Sequence, residues 1–272
     1  MLATATSFTW KGYPMDLSLE GRRVLVTGGS KGIGLACARA FTAEKAQVAI
    51  CSRSESNLAA ARQILPESLT FAADLTDAAA AAAMVRAVEE RLGPIDILVN
   101  CAGAARRTPP AELTPTHWRA AMDAKFFTYL NVIDPTVKRM AIRRAGVIVN
   151  VIGNGGKIAS PVHLAGGTAN AALMLATAGL ATGYASAGIR VVGVNPGLTD
   201  TDRVDEGLAS TARLEGIGRD EARAQAIARI PLGRMAEPEE IADVVVFFAS
   251  RRASYVTGVT LTMDGAGTPC VV

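Results

Sequence analysis

Seven short runs rich in valine and isoleucine punctuate the chain: RVLVTG (23–28), QVAICS (47–52), LTFAA (69–73), IDILVNC (95–101), GVIVNV (146–151), IRVVGVN (189–195) and VTLTM (259–263). Each is apolar nearly throughout rather than alternating. That is the pattern of strands buried on both faces, as in a parallel sheet covered by helices. Between them, apolar positions recur at helical spacing over 32–44, 55–64, 77–92, 115–140, 164–186 and 237–250. The alanine run 78–83 belongs to the third of these, because alanine is the strongest helix former. Strand alternating with helix predicts an α/β fold, a doubly wound parallel sheet in a single domain over 15–272. The longest stretch outside the alternation, 198–234, is charged and follows a strand end, where a substrate lid is expected. Residues 1–14 lack the pattern and are expected to be a mobile extension.

Composition narrows the partners. The chain has 272 residues, half of them hydrophobic, and a net charge of +3. The length supports one large core. So slight an excess of one charge sign predicts no nucleic acid and no anionic membrane partner. No apolar run is expected to reach the ~18 residues of a bilayer span, and residues 1–14 have no apolar core of a secretory signal. The four cysteines are widely spaced without a CxxC pair, and the only histidines are His117 and His163. A reduced, cytoplasmic protein without a metal site is expected.

The segment VLVTGGSKGIGLACARAF (24–41) reads as strand, glycine-rich turn and helix. Gly28, Gly32 and Gly34 let the backbone turn tightly and approach a pyrophosphate, at which the following helix points its free N–H groups. The spacing is G-x-x-x-G-x-G, with Thr27 ahead of it. Further along stand ADL (73–75), NCAG (100–103), NPGLTDT (195–201) and the long segment from Ile230 to Ala266. Together these motifs resemble the short-chain dehydrogenase/reductase family over roughly 16–267. The resemblance implies a Rossmann-type domain of seven parallel strands, a small-molecule carbonyl or alcohol as substrate, and assembly as a homotetramer or homodimer. It also implies that Thr27, Gly28, Ser30, Lys31, Gly32, Ile33 and Gly34 hold a dinucleotide. Asp74 and Leu75 would meet the adenine, and Asn100, Ala102 and Gly103, matching the family's N-x-A-G after the fourth strand, would also bind the cofactor. Pro196, Gly197, Thr199 and Thr201 would meet the nicotinamide carboxamide.

Proteins that bind NAD place a carboxylate at the end of the second strand to hold the ribose hydroxyl. Here that place reads Ser52-Arg53-Ser54, with no acid. An arginine fork and serine hydroxyls suit a 2′-phosphate, with Lys31 a second cation nearby, so NADP is expected over NAD.

The family's catalysis resembles a relay of tyrosine, lysine four residues later, serine thirteen residues before the tyrosine, and an asparagine on the preceding long helix. In this chain the tyrosine falls on Gly166 and the lysine on Asn170. The serine falls on Gly153 both by counting back thirteen and by matching IVNV-I-G to the family's strand. The asparagine, seven residues after Trp118, falls on Lys125. None of the four tyrosines has a lysine at +4. Lys125 and Asn170 thus look like an exchanged pair, with the Lys125 amine expected to reach Asn170. His163, three residues before Gly166, offers a group that titrates near neutrality. Asn154 and Arg203 are further polar candidates, against turn and surface roles. Three functions stay open: an oxidoreductase with a substitute relay, a silent nucleotide-binding sensor, scaffold or partner subunit, and a non-redox enzyme using the enlarged pocket.

Overall fold

The seven apolar runs form one parallel sheet: β1 (Arg23–Thr27), β2 (Gln47–Ser52), β3 (Leu69–Ala72), β4 (Ile97–Asn100), β5 (Gly146–Val151), β6 (Ile189–Pro196) and β7 (Thr260–Met263). The order across the sheet is β3-β2-β1-β4-β5-β6-β7. The computed structural model describes residues 15–269 except Ala104, so the expected extension over 1–14 lies outside the described residues. Val24, Val26, Ile50, Val99 and Val192 point to one face, where α1 (Gly32–Ala43) and α9 (Pro238–Ala249) cover them. Leu25, Leu98, Ile148 and Val191 point to the other. There they meet α3 (Ala78–Leu92), α5 (Thr128–Arg143) and α6 (Leu164–Tyr184). β3 and β7 are only partly buried because they are the sheet's edges, not strands covered on both faces. α2 (Glu55–Ile64) joins β2 to β3.

The single helix expected over 115–140 is divided. α4 (Pro115–Ala121) gives way to a π-helical turn at Met122–Phe127, and α5 follows. Thr128 Oγ1 donates to the Asp123 carbonyl at 2.9 Å across this turn. The segment 198–234, expected to be a lid, contains α7 (Asp202–Glu215) and α8 (Arg219–Ala228). Arg223 ties them together with ion pairs to Asp200 at 2.5 Å and Asp205 at 3.1 Å. One segment, Pro161–Ala187, does reach the length and apolar composition of a membrane span, contrary to expectation. It contains α6, whose Leu173, Thr177 and Ala181 are packed into the domain.

β1 and β4 lie side by side, and the connections leave them in opposite directions across the sheet. Open α/β sheets bind ligands in the crevice at the carboxyl ends of strands at such a reversal. The candidate site lies there.

Candidate active site

The turn after β1 is shaped by what glycine permits. Gly28 has φ +66°, and a Cβ there would lie 2.9 Å from the Ala102 backbone nitrogen. α1 then starts at Gly32, and the Lys31 side chain makes no cap hydrogen bond. Its first N–H groups are thus left for an anion. A groove of about 970 Å³ runs past this turn. It is lined by Gly28, Ser30, Lys31, Gly32, Ile33 and Gly34, by Ser52, Arg53 and Ser54, by Asp74 and Leu75, and by Ala102, Gly103 and Thr201. Ser54 also caps α2, its hydroxyl accepting from the Asn57 N–H at 3.2 Å. The Asp74 carboxyl lies below its usual pKa, first because the Thr76 N–H and hydroxyl donate to it, and further through Arg53.

Thr27 and Asn100 do not line the groove; both are buried beneath it. Thr27 Oγ1 accepts from the N–H groups of Cys101 at 3.2 Å and Ala102 at 3.3 Å. Asn100 Nδ2 donates to Asn150 Oδ1 at 2.9 Å, and Asn150 Nδ2 donates to Thr177 Oγ1 at 3.0 Å. They hold the loops whose backbone forms the groove.

A second cavity of about 490 Å³ adjoins the groove through Ile33, Cys101, Gly103, Thr201 and Arg203. Pro196, Gly197 and Thr199 line it, as do Lys125, Gly153, Asn154, His163, Gly166 and Asn170. The sequence candidates are therefore gathered in one cavity.

His163 ends a short 3-10 turn and leads into α6. Its ring folds back over the third residue of that helix. A Cβ on Gly166 would stand 2.6 Å from His163 Nε2, and one on Gly155 would stand 3.1 Å from Cδ2. The imidazole thus fills the space into which a side chain at 166 would project. Its buried Nδ1 has no hydrogen-bond partner. Its pKa is lowered by burial first, then by Arg107, Arg203 and Lys125. Asn170 is 6% exposed. Its Nδ2 lies 3.2 Å from where a Cβ on Gly153 would stand, and its Oδ1 is buried without a partner. Gly153 itself has φ +126°, a conformation that L side chains rarely adopt.

Lys125 sits in the π-helical turn and is 8% exposed. Its amine donates to Tyr129 Oη at 3.0 Å and to the Val151 carbonyl at 3.3 Å, and the Tyr129 hydroxyl donates to that same carbonyl. The expected contact from Lys125 to Asn170 is not formed, because these two oxygens take the amine and Asn170 Oδ1 is left without a donor. Burial pulls the Lys125 pKa down to about 7, with Arg203 contributing. Tyr129 escaped the sequence reading, which sought a lysine four residues after a tyrosine rather than four before it. Asn154 Nδ2 is tied to Asp264 Oδ2 at 2.9 Å and Thr268 Oγ1 at 2.6 Å. Arg203, on α7, donates to the Gly103 carbonyl at 3.1 Å.

Residues 28–267 match the family model described as enoyl-(acyl carrier protein) reductase, and the chain belongs to this family of short-chain dehydrogenase/reductase enzymes. It is 33% identical over 254 residues to a 3-oxoacyl-[acyl-carrier-protein] reductase of Vibrio harveyi, covering 92% of this chain and 98% of the relative. It is 31% identical over 257 residues to gluconate 5-dehydrogenase of Gluconobacter oxydans, covering 93% and 97%. Among solved structures it is similar to a mutant actinorhodin polyketide ketoreductase with NADPH, at a TM-score of 0.89 and 29% identity over 92% of this chain and 98% of the other. It is also similar to L-sorbose reductase from Gluconobacter frateurii with NADPH and L-sorbose, at a TM-score of 0.88 and 28% identity over 94% and 100%.

Proposed function

We propose that this protein is an NADP(H)-dependent oxidoreductase that interconverts a small-molecule carbonyl and alcohol, with His163 handling the proton in place of the family's tyrosine. The observation that carries this reading is the placement of the His163 ring over Gly166, in a cavity that His163 and Asn170 both line and where each has a buried polar atom without a partner.

The residues present fit NADP(H). Gly28 lets the turn pack against Ala102 at the edge of the groove, where any Cβ would clash, and the bare start of α1 offers N–H donors to a phosphate. Arg53, Ser52 and Ser54 at the end of β2 suit a 2′-phosphate better than a hydroxyl. Two structural neighbours were solved with NADPH. When bound, the nicotinamide gives or takes the hydride.

The chain's own part is position and proton handling. His163 presents an imidazole that is neutral at neutral pH, because burial and three cations disfavour its charge. Neutral imidazole accepts a proton from an alcohol in oxidation; imidazolium gives one to the developing alkoxide in reduction. Asn170 Nδ2, beside Gly153, is placed to donate to a substrate oxygen where the family uses a serine. Lys125, near its own pKa at neutrality, is a second proton reservoir bordering the cavity.

The test is a fluorescence titration with NADPH and NADH, followed by absorbance with a panel of ketones and alcohols. NADPH binding tighter than NADH, with turnover lost in His163→Ala while binding persists, supports the reading. Tight NADPH binding with no turnover on any substrate would instead assign the chain a nucleotide-sensing or scaffold role.

A further inference from the structure

The second cavity has a one-sided charge. Arg107, Arg203 and Lys125 line it, and all three depress the ionisation of His163. Among its described lining residues the one acid is Asp264, whose Oδ2 already accepts from Asn154. Arg107 differs from the other two cations. Lys125 is held by Tyr129 and Val151, and Arg203 by Gly103. The Arg107 side chain has no hydrogen bond or ion pair among the described residues, and its guanidinium rests on Gly207 of α7, with Nε 3.8 Å from where a Cβ would stand. Its backbone is anchored, since the next residue, Thr108, is buried and donates its N–H to the Val162 carbonyl at 3.0 Å. Val162 directly precedes His163. The arginine thus lines the same cavity as the proposed proton donor, its exposed side chain against α7 and without a paired acid among the described residues. Independently, two of the residues lining this cavity carry buried polar atoms without a hydrogen-bond partner, Asn170 Oδ1 and His163 Nδ1.

We propose that the substrate carries a carboxylate in addition to its reacting carbonyl, and that Arg107 is the residue that binds it. This rests on the oxidoreductase reading and names its substrate class: an oxo acid, or the matching hydroxy acid. The planar guanidinium fork matches the two oxygens of a carboxylate, and a charge-assisted pair of this kind is stronger than one between neutral groups. Apolar Leu198, Val204 and Ile230 also line this cavity, which suits a short carbon chain. A bound carboxylate also offsets the cations around His163 and restores its tendency to hold a proton, so the donor is charged when substrate is in place.

The experiment compares 2-, 3- and 4-oxo acids with their methyl esters, using NADPH oxidation for turnover and calorimetry on the protein–NADP⁺ complex for binding. The acids are expected to be preferred. Arg107→Ala lowers the acid-to-ester ratio of kcat/KM by about 10- to 100-fold, chiefly through KM, as loss of a charged hydrogen bond does. Arg107→Lys recovers part of it, and NADPH affinity is unchanged because Arg107 is absent from the groove lining. Equal treatment of acids and esters, or an Arg107→Ala loss shared by both, overturns the proposal. If nothing turns over, the oxidoreductase reading fails. Calorimetry still decides this one: saturable oxo-acid binding lost in Arg107→Ala upholds it, and no oxo-acid binding overturns it.

Discussion

Replacing Gly166 by alanine tests whether the His163 ring truly stands over that position. The new Cβ would lie 2.6 Å from His163 Nε2 and 2.8 Å from Ala105 Cβ. Ordinary contact begins near 3.4 Å and the ring's Cε1 stands nearer still than Nε2, so the ring must retreat by about 1.2 Å. Misplacement on the order of 1 Å costs about 100-fold in a positioned reaction, so kcat should fall roughly 10- to 100-fold. Stability carries a sharper signature. Alanine gains about 1 kcal/mol over glycine in a helix, while overpacking costs about 1–3 kcal/mol. In the native background these oppose, and Gly166→Ala should be neutral to destabilising. In a His163→Ala background the ring is gone and more of the helix gain appears, a difference of about 1–3 kcal/mol between backgrounds. In a domain of this size that is a shift in Tm of roughly 2–4 °C per kcal/mol. Thermal melts of the four proteins of the cycle provide the measurement. Equal effects of Gly166→Ala in both backgrounds would refute the placement of the imidazole.

Two other perturbations probe other parts of the site. Arg53→Ala should weaken NADPH binding by about 10- to 100-fold, the value of a charged hydrogen bond, and leave NADH within a few-fold in the same fluorescence titration. Lys125 gives a pH dependence of stability. Its folded pKa is about 7 and the reference value is 10.5. Between these values the unfolded chain holds a proton that the folded chain has released, so stability rises with pH across that window and is flat below it. Urea midpoints at pH 7 and pH 9 should therefore rise for the native protein relative to Lys125→Met, by on the order of 2 kcal/mol.

The sequence pattern placed the sheet well because burial on both faces leaves a continuous apolar run, as in Val24–Val26 and Ile97–Val99. It overstated β3 and β7, since a run such as LTFA does not reveal which strand will sit at an edge. The π-helical turn at Met122–Phe127 was invisible because helical periodicity continues on either side of it. Resemblance to the family's relay singled out Gly153, Gly166 and Asn170, and nearness along the chain added His163; all four line one cavity. The partners of Lys125 were harder. A buried amine goes to the oxygens that the backbone brings near, here Tyr129 Oη and the Val151 carbonyl at the end of β5. Neither is marked by a spacing motif built on the family's usual tyrosine and lysine.

If His163 handles the proton of a carbonyl reduction, the rate must follow its titration. The direct measurement is the pH profile of NADPH-dependent kcat/KM, for the best carbonyl of the panel, in the native protein and in His163→Ala. The His163 pKa lies below its usual 6.5 in the unliganded site. The native reduction rate should therefore fall as pH rises past a value below 6.5, with oxidation of the alcohol rising over the same range. His163→Ala should lower the rate by about 10²- to 10⁴-fold and flatten that limb, with NADPH affinity retained. An unchanged rate and an unchanged profile in His163→Ala would contradict the claim.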